Sequence, residues 1–462
     1  MDSATGNSEY IVGDDFSDYE RVYLNMSRAF SHLGKEHWGI YCICALRCDA
    51  PPSGTDMVTA IRSAWMQLVV EHPGLSMVPD GLRKRYPRLN SASVESWARD
   101  TFFVRSDASA DDVVAEANPR DLPGLYYLTA SSEVLLLIQH WRADALGCCM
   151  MLDRLFTILA SPNTRPLDLG DGPSLRVGAM SPSLESATGA SGAEDPDVQA
   201  YARKWIDDFH ARAVHSGGLP FRGDATTPPR CPRRYDLDLT VDETCAITAA
   251  CKAHRISVTA AVQTALARTV FSYLDEAECR AGYTTVMAVN MRPYLAPPLN
   301  TKAHACQCYV TSITPTVPYK SDFVAAARAL THEYRNWWSE TFMRSLRWIY
   351  KYHLAKISAP RPTDAAPAKP PSGVTLSSLG IVERHLRGDY GPNARVDKFR
   401  FGVSMQTRQM LFYVWTFSGR LTLSLSYNDA YYSDEMVKEV LSRVLGHLGE
   451  GLGADLSASQ VS

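Results

Sequence analysis

A histidine and an aspartate four residues on stand at the junction of two contrasting stretches. His140 and Asp144, in Gln139-His140-Trp141-Arg142-Ala143-Asp144-Ala145, follow the continuous apolar run Val134, Leu135, Leu136, Leu137, Ile138. They precede Leu146, Cys149, Leu152, Leu155, Phe156 and Leu159, which recur at helical spacing. The run reads as a strand buried on both faces and the spacing as a helix. A histidine at the strand's end, where the chain turns into the helix, can reach a cleft while packed elements fix its direction. Imidazole, with a pKa near 6.5, is largely unprotonated at neutral pH and can accept the proton of an attacking hydroxyl. Asp144 has a second reading, as the cap of the helix that follows.

The pattern alone is weak, because twelve histidines yield roughly one chance match in a chain this long. His385 and Asp389 also fit it, but Leu386-Arg387-Gly388-Asp389-Tyr390-Gly391-Pro392 carries glycine and proline where a helix would have to start. Context favours His140. No Gly-x-Ser-x-Gly elbow, phosphate loop or dinucleotide fingerprint competes with it. His304, Cys306 and Cys308 could lie on one strand face, but no second cluster completes a tetrahedral zinc site, so no metal is expected. The 11 cysteines are odd in number and sit mostly in apolar or strand-like surroundings, as Cys42 and Cys44 do, which suits buried free thiols.

The 462 residues suffice for two domains of roughly 200 residues, or one very large one. A net charge of −3 without a Lys/Arg block gives no footprint for nucleic acid. No apolar run reaches the length of about 20 residues that a membrane span needs. The polar start Met1-Asp2-Ser3-Ala4-Thr5-Gly6 lacks a secretory pattern, so a cytoplasmic protein is expected. The elements divide the chain into an N-terminal lobe over 1–205, an irregular connection over 206–234 and a C-terminal lobe over 235–462. The first lobe shows helices through Tyr23 and from Met57, with strands around Trp38 to Leu46, Tyr126 to Thr129 and Val134 to Ile138. The second opens with a strand and two helices, the later one alanine-rich over Ser257 to Tyr273, and has a helix over Phe323 to Trp338. It ends in strands over Phe399 to Ser404, Leu411 to Phe417 and Leu421 to Tyr427 before a last helix from Asp434. Ala160 to Asp197 and Ile357 to Gly373 read as irregular loops.

With these elements in order, the chain resembles the chloramphenicol-acetyltransferase-like superfamily that includes plant BAHD acyltransferases and peptide-synthetase condensation domains. It is most similar to fungal acyltransferases of secondary metabolism, especially the trichothecene 15-O-acetyltransferase group. Leu68-Val69-Val70-Glu71-His72-Pro73 resembles the family's first helix and its His-Pro ending, and His140 to Asp144 its His-His-x-x-x-Asp-Gly. Ile256-Ser257-Val258-Thr259-Ala260-Ala261-Val262 and Val289-Asn290-Met291-Arg292-Pro293 resemble second-domain elements. Ser377-Ser378-Leu379-Gly380 and Tyr427-Asn428-Asp429-Ala430-Tyr431-Tyr432 resemble late motifs of the fungal group. Gln139 stands where the family has its first histidine and Ala145 where it has glycine, which leaves two readings open: a methyl group that narrows the tunnel, or Gly147 as a substitute source of flexibility. The plant motif Asp-Phe-Gly-Trp-Gly is absent.

The resemblance implies an α/β fold of two similar chloramphenicol-acetyltransferase-like lobes, each a mostly antiparallel mixed sheet with flanking helices, and an active-site tunnel between them. It implies transfer of an acyl group, acetyl in the simplest case, from a CoA thioester to a hydroxyl of an apolar secondary metabolite, with His140 as general base. Asp144 would brace the histidine's loop through an ion pair with Arg292. Ser377, Ser378 and Asn428 are candidate hydroxyl or oxyanion donors, each also readable as a turn or cap residue. Trp141, Trp415, Tyr431 and Tyr432 are candidate acceptor-pocket residues, although aromatics in such contexts also build cores. Acetyl-CoA or another acyl-CoA is expected as co-substrate, with no permanently bound cofactor, and a monomer is expected. Two alternatives remain: a freestanding condensation-type enzyme forming an amide or ring from a carrier-bound substrate, and a non-acylating cyclase or binding protein on the same fold.

Overall fold

The computed structural model describes residues 10–48, 54–161, 180–190, 192–214, 217–359, 370–392 and 394–456. Two mixed sheets carry the architecture. The first orders its five strands Arg395–Val403, Ile40–Arg47, Glu133–Ile138, Gly124–Leu128 and Phe102–Arg105, antiparallel except for the last pair. The second orders six strands Val310–Ile313, Met287–Asn290, Val374–Ile381, Met410–Phe417, Arg420–Asn428 and Pro232–Asp238, with parallel pairing only on the two sides of Val374–Ile381. Helices flank both, giving the α/β arrangement of two mostly antiparallel mixed sheets that the resemblance implied.

One strand crosses the sequence boundary between the lobes. Arg395–Val403 pairs along the whole of Ile40–Arg47, from Arg395 opposite Arg47 to Val403 opposite Ile40, before the chain re-enters the second sheet at Met410. Its alternation predicts a strand but is silent on the partner, since a period of two reports only which residues share a face. The division at 206–234 therefore leaves one strand of the first sheet in the second half of the sequence.

Each sheet buries an apolar helix pair. Behind the first, Leu152, Leu155 and Phe156 of the helix Ala145–Leu159 pack with Trp65, Leu68 and Val69 of Met57–Glu71 and with Cys42 and Leu136 of the strands. Full burial of each large apolar side chain stabilises the fold by about 1.5–3 kcal/mol. Against the second, Ala260, Ala261 and Ala265 of Val258–Phe271 bring that helix close, and Val437, Val440 and Val444 of Asp434–Leu452 pack on it.

The helix Asp18–Arg28 begins at a capping box in which Ser17 and Glu20 satisfy each other's backbone N–H groups. Tyr19 and Tyr23, four residues apart, share its buried face. They meet the helix Glu340–Ser358, which the sequence reading did not anticipate. Its apolar stripe of Phe342, Leu346, Ile349, Tyr350 and Leu354 is interleaved with Arg344, Arg347 and Lys351, whose charges mask the period. The helix Pro196–Val214 runs into the stretch assigned to the connection. Of the two predicted loops, 162–179 and 360–369 lie outside the described residues, while the described flanks include the short helix Leu184–Ala187. Among the described residues no helix is long and apolar enough to cross a membrane.

Candidate active site

The strand Glu133–Ile138 delivers the chain to a tight turn, closed by Arg142 N–H donating to the Gln139 carbonyl at 2.9 Å, and the helix starts at Ala145. Asp144 caps that helix: its Oδ1 accepts from Gly147 N–H at 2.8 Å. Its Oδ2 accepts from Arg292 Nη1 at 2.6 Å and from Tyr309 N–H at 2.8 Å. The pair is almost sealed, with 1% of the aspartate and 3% of the arginine side chain exposed, and both carboxylate oxygens are engaged by the protein. Arg292 follows the strand Met287–Asn290, donates through Nη2 to the Gln307 carbonyl at 3.2 Å and lies over the Tyr309 ring. Its Nε is buried without a partner. The bond between Asp144 and Arg292 thus joins the turn after the first sheet to the segment that follows Met287–Asn290 of the second.

Glycine is required at 147 rather than 145. A Cβ at Gly147 would overlap the Ala305 carbonyl oxygen and lie 3.1 Å from Arg292 Nη2, so only hydrogen permits the helix start to meet this segment. Ala145 is half-buried beside it.

His140 is half-buried, while Trp141, Ala143 and Asp144 are buried. Its ring stacks on Tyr23 at 4.6 Å and leans on Trp38 at 5.6 Å. Nδ1 lies 3.5 Å from Cys308 Sγ. Burial lowers its pKa from 6.5 to about 4, against the opposing pull of a hydrogen bond with its own backbone and the negative charge of Asp144. The imidazole is therefore neutral at pH 7. It keeps accessible surface although desolvation dominates its titration, as a side chain bordering a recess does. A cleft of about 400 Å³ lined by Ser27, Glu36, Arg120, Gln139 and Trp141 reaches the residues on either side of it.

Several residues around the ring carried no sequence signal. Trp38 holds φ +63°, a left-handed conformation that is strained for a bulky side chain. Its N–H donates to the Ser404 carbonyl and Ser404 N–H returns to the Gly39 carbonyl, both at 2.8 Å, which clamps the turn to the end of the crossing strand. Arg142 is buried among carbonyls: it donates to Gly74, to Met77 at 2.8 Å and to Asp121 at 2.5 Å, and burial lowers its pKa to about 10. Gln139 accepts from Arg142 Nε at 3.1 Å through Oε1 and donates through Nε2 to Arg120 at 2.7 Å and Leu122 at 3.2 Å. An imidazole, with one acceptor and one donor when neutral, could not satisfy all three.

The other predicted residues have different surroundings. Asn428 is fully buried: Oδ1 accepts from Arg230 and Ala430 N–H, and Nδ2 donates to the Met405 carbonyl and Gln406 Oε1. No donor is left for an oxyanion. Trp415 packs in the first core against Phe399. Tyr431 donates to the Thr227 carbonyl at 3.1 Å and Tyr432 to that of Arg408, both from buried positions. Trp141 packs edge-on to Phe16 under the Arg142 guanidinium. Ser377 and Ser378 are half-buried on the strand Val374–Ile381, and Ser378 Oγ pairs with Thr259 Oγ1 at 2.9 Å. The structure thus gathers His140, Asp144 and Arg292 and engages Asn428, Trp415, Tyr431 and Tyr432 in packing. His385, of the rival motif, is half-buried within electrostatic reach of Arg292 and Asp144. His304 faces Ser181, Cys306 the backbone at Gly74, and Cys308 the site, three different environments.

Residues 228–426 match the family model described as the C-terminus of phthiocerol/phthiodiolone dimycocerosyl transferase. Azaphilone biosynthesis cluster protein M of Aspergillus terreus is 60% identical over 446 residues, 96% of each chain. O-acetyltransferase pigM of Monascus ruber is 45% identical over 96% of this chain and 86% of its own. Among solved structures, trichothecene 15-O-acetyltransferase from Fusarium sporotrichioides superposes with a TM-score of 0.76 at 17% identity, covering 97% of this chain and 96% of that one. The first condensation domain of the CDA synthetase gives 0.65 at 16% identity over 98% of both chains. At such identities these two show the fold, and the close relatives show the lineage. The chain belongs to the fungal family that includes azaphilone biosynthesis cluster protein M and O-acetyltransferase pigM, and it has the fold of trichothecene 15-O-acetyltransferase.

Proposed function

We propose that the protein moves an acyl group, acetyl in the simplest case, from a CoA thioester to a hydroxyl of an apolar secondary metabolite. The observation that carries this reading is a division of labour between two neighbouring groups. Asp144 spends both oxygens on Gly147, Arg292 and Tyr309, whereas His140 is neutral and keeps accessible surface at the end of its strand. His140 Nε2 takes the acceptor's hydroxyl proton as that oxygen attacks the thioester carbonyl, and returns it to the departing CoA thiolate. Asp144 and Arg292 fix the turn that aims the ring. Kinship with O-acetyltransferase pigM supports acetyl as the group and an oxygen as its acceptor. General-base assistance contributes about 10²- to 10⁴-fold, and positioning of two substrates the rest.

The test is thiol release from acetyl-CoA by the pure protein in the presence of a panel of polyketide and terpenoid alcohols. Acceptor-dependent release is expected, with a loss of about 10²- to 10⁴-fold in a folded His140→Ala variant. Equal turnover by His140→Ala and wild type would overturn the assignment of the base. Turnover only with a carrier-bound acyl group would replace the donor.

A further inference from the structure

The stretch between the helix Asp18–Arg28 and the strand Ile40–Arg47 leaves one acid without a partner. Glu36 is half-buried as a residue, yet its Oε1 is closed to solvent and meets no donor, and no hydrogen bond or ion pair among the described residues reaches its carboxyl. Burial pushes this acid from 4.5 up to about 8, against the pull of the Arg142 guanidinium and with help from the charge of Asp121. It is therefore protonated at pH 7 and has a hydrogen to give. An unpaired buried polar group costs stability, so it persists where it serves something other than the fold.

The main chain that carries Glu36 is held on both sides. His37 N–H donates to the Ser27 carbonyl at 3.1 Å, Gln406 Nε2 to the Glu36 carbonyl at 3.2 Å, and Gln406 N–H to His37 Nδ1 at 3.1 Å. From this fixed stretch the side chain borders two hollows. One is the cleft of about 400 Å³ beside Trp141, and the other, of about 60 Å³, is walled by Ile40, Tyr126, Leu137 and Ser404. Glu36, Arg120 and Gln139 line both. Gln139 makes three hydrogen bonds, and Arg120 donates to the Asp100 carbonyl and lies over the Phe103 ring at 4.7 Å. Of the three shared side chains, only Glu36 has no engaged polar atom.

The charges around the cleft select what this acid meets. Arg28 and Asp121 face each other at 3.5 Å, so they offset one another. A cation in the cleft would approach the guanidinium groups of Arg120 and Arg142, and an anion would approach Asp121, which leaves an uncharged group. A protonated carboxyl has a hydrogen to donate, and a carbonyl oxygen is an uncharged group that only accepts. We propose that Glu36 is a specificity-determining residue whose carboxyl donates a hydrogen bond to a carbonyl oxygen of an uncharged ligand held in the cleft beside Trp141. On the acyl-transfer reading, on which this step rests, that ligand is the alcohol acceptor, because Gln139 and Trp141 of the cleft wall flank His140. The bond would hold the acceptor at a point away from its reacting hydroxyl and so orient that hydroxyl.

Binding tests this without turnover. Two phenols of similar shape serve as probes: para-hydroxyacetophenone, which carries a carbonyl, and para-ethylphenol, which has a methylene in its place. Titration calorimetry of the wild type should show the ketone bound about 5- to 150-fold more tightly, the range for one buried hydrogen bond made or left unmade. Glu36→Leu should abolish that preference, and Glu36→Gln, which still offers an N–H, should keep most of it. Failure of the wild type to prefer the ketone, whether both phenols bind or neither does, would overturn the proposal, as would a preference that survives in Glu36→Leu. Stability gives an independent reading. In the free protein Glu36→Leu should raise the urea midpoint at pH 7, because it removes an unpaired buried acid, whereas a lower midpoint would show that Glu36 serves the fold instead. Where the wild type releases thiol from acetyl-CoA, Glu36→Leu should raise KM for a carbonyl-bearing acceptor about 5- to 150-fold and leave KM for acetyl-CoA unchanged. The reverse would overturn the assignment to the acceptor. Absence of release counts against the reaction, and the binding result then decides the cleft.

Discussion

Replacing Asp144 by alanine separates a structural carboxylate from a catalytic one. The side chain makes three bonds: Oδ1 caps the helix at Gly147 N–H, and Oδ2 holds Arg292 Nη1 at 2.6 Å and Tyr309 N–H at 2.8 Å. Truncation leaves Arg292, 3% exposed, as a buried cation without a carboxylate. Breaking a buried pair in this way costs about 3–5 kcal/mol, and the lost cap about 1 kcal/mol more, so a loss of roughly 4–6 kcal/mol is expected. That is a large part of the 5–15 kcal/mol typical of a domain. The assay is urea unfolding at neutral pH, read from the midpoint at constant slope. Asp144→Ala/Arg292→Met should be more stable than Asp144→Ala, because it removes the stranded charge along with its partner. A loss of only about 1 kcal/mol, the value of a helix cap, would refute the argument. So would a double variant less stable than the single one. Turnover should fall with stability, since the same bonds fix the turn that carries His140.

Three further outcomes follow from the site's contacts. His37, His72, His140 and His353 are each lowered by burial from 6.5 to about 4, so over that window the native state binds fewer protons than the unfolded chain. Stability should therefore fall as pH drops from about 6.5 toward 4, seen as a lower urea midpoint at about pH 5 than at about pH 7, while the acid limb of kcat/KM in the folded enzyme centres near 4 rather than 6.5. Equal midpoints, or an acid limb near 6.5, would contradict these burials. Gly147→Ala pushes a methyl group into the Ala305 carbonyl and toward Arg292, so it should destabilise by about 1–3 kcal/mol and slow turnover; a neutral substitution would show that the helix start can retreat. Gln139→His leaves at least one of three buried bonds unmade and should cost about 1–3 kcal/mol by urea unfolding, whereas unchanged stability would show that the Arg142 cluster repacks.

What the sequence disclosed depended on the range over which each signal acts. The turn at His140 was readable because an unbroken apolar run gives way to helical spacing on its two sides, a change visible within thirty residues. Arg292, 148 positions beyond Asp144, has no local pattern that marks it as a partner, and it was named only through resemblance. Tyr23, Trp38 and Cys308 meet the imidazole from three separate segments, so these contacts exist only after folding. Asn428 and Tyr431 show the converse: polar and aromatic residues at a strand's end look alike in sequence whether they face a substrate or, as here, spend their polar atoms on the backbone of another segment. Asp144 shows why two readings of one residue need not compete. Its local signal predicted a helix cap and the resemblance an ion pair, and a carboxylate has two oxygens. Oδ1 makes the contact written within four residues, Oδ2 the contacts written across about a third of the chain, and the turn that carries His140 is fixed because both are made by one rigid group.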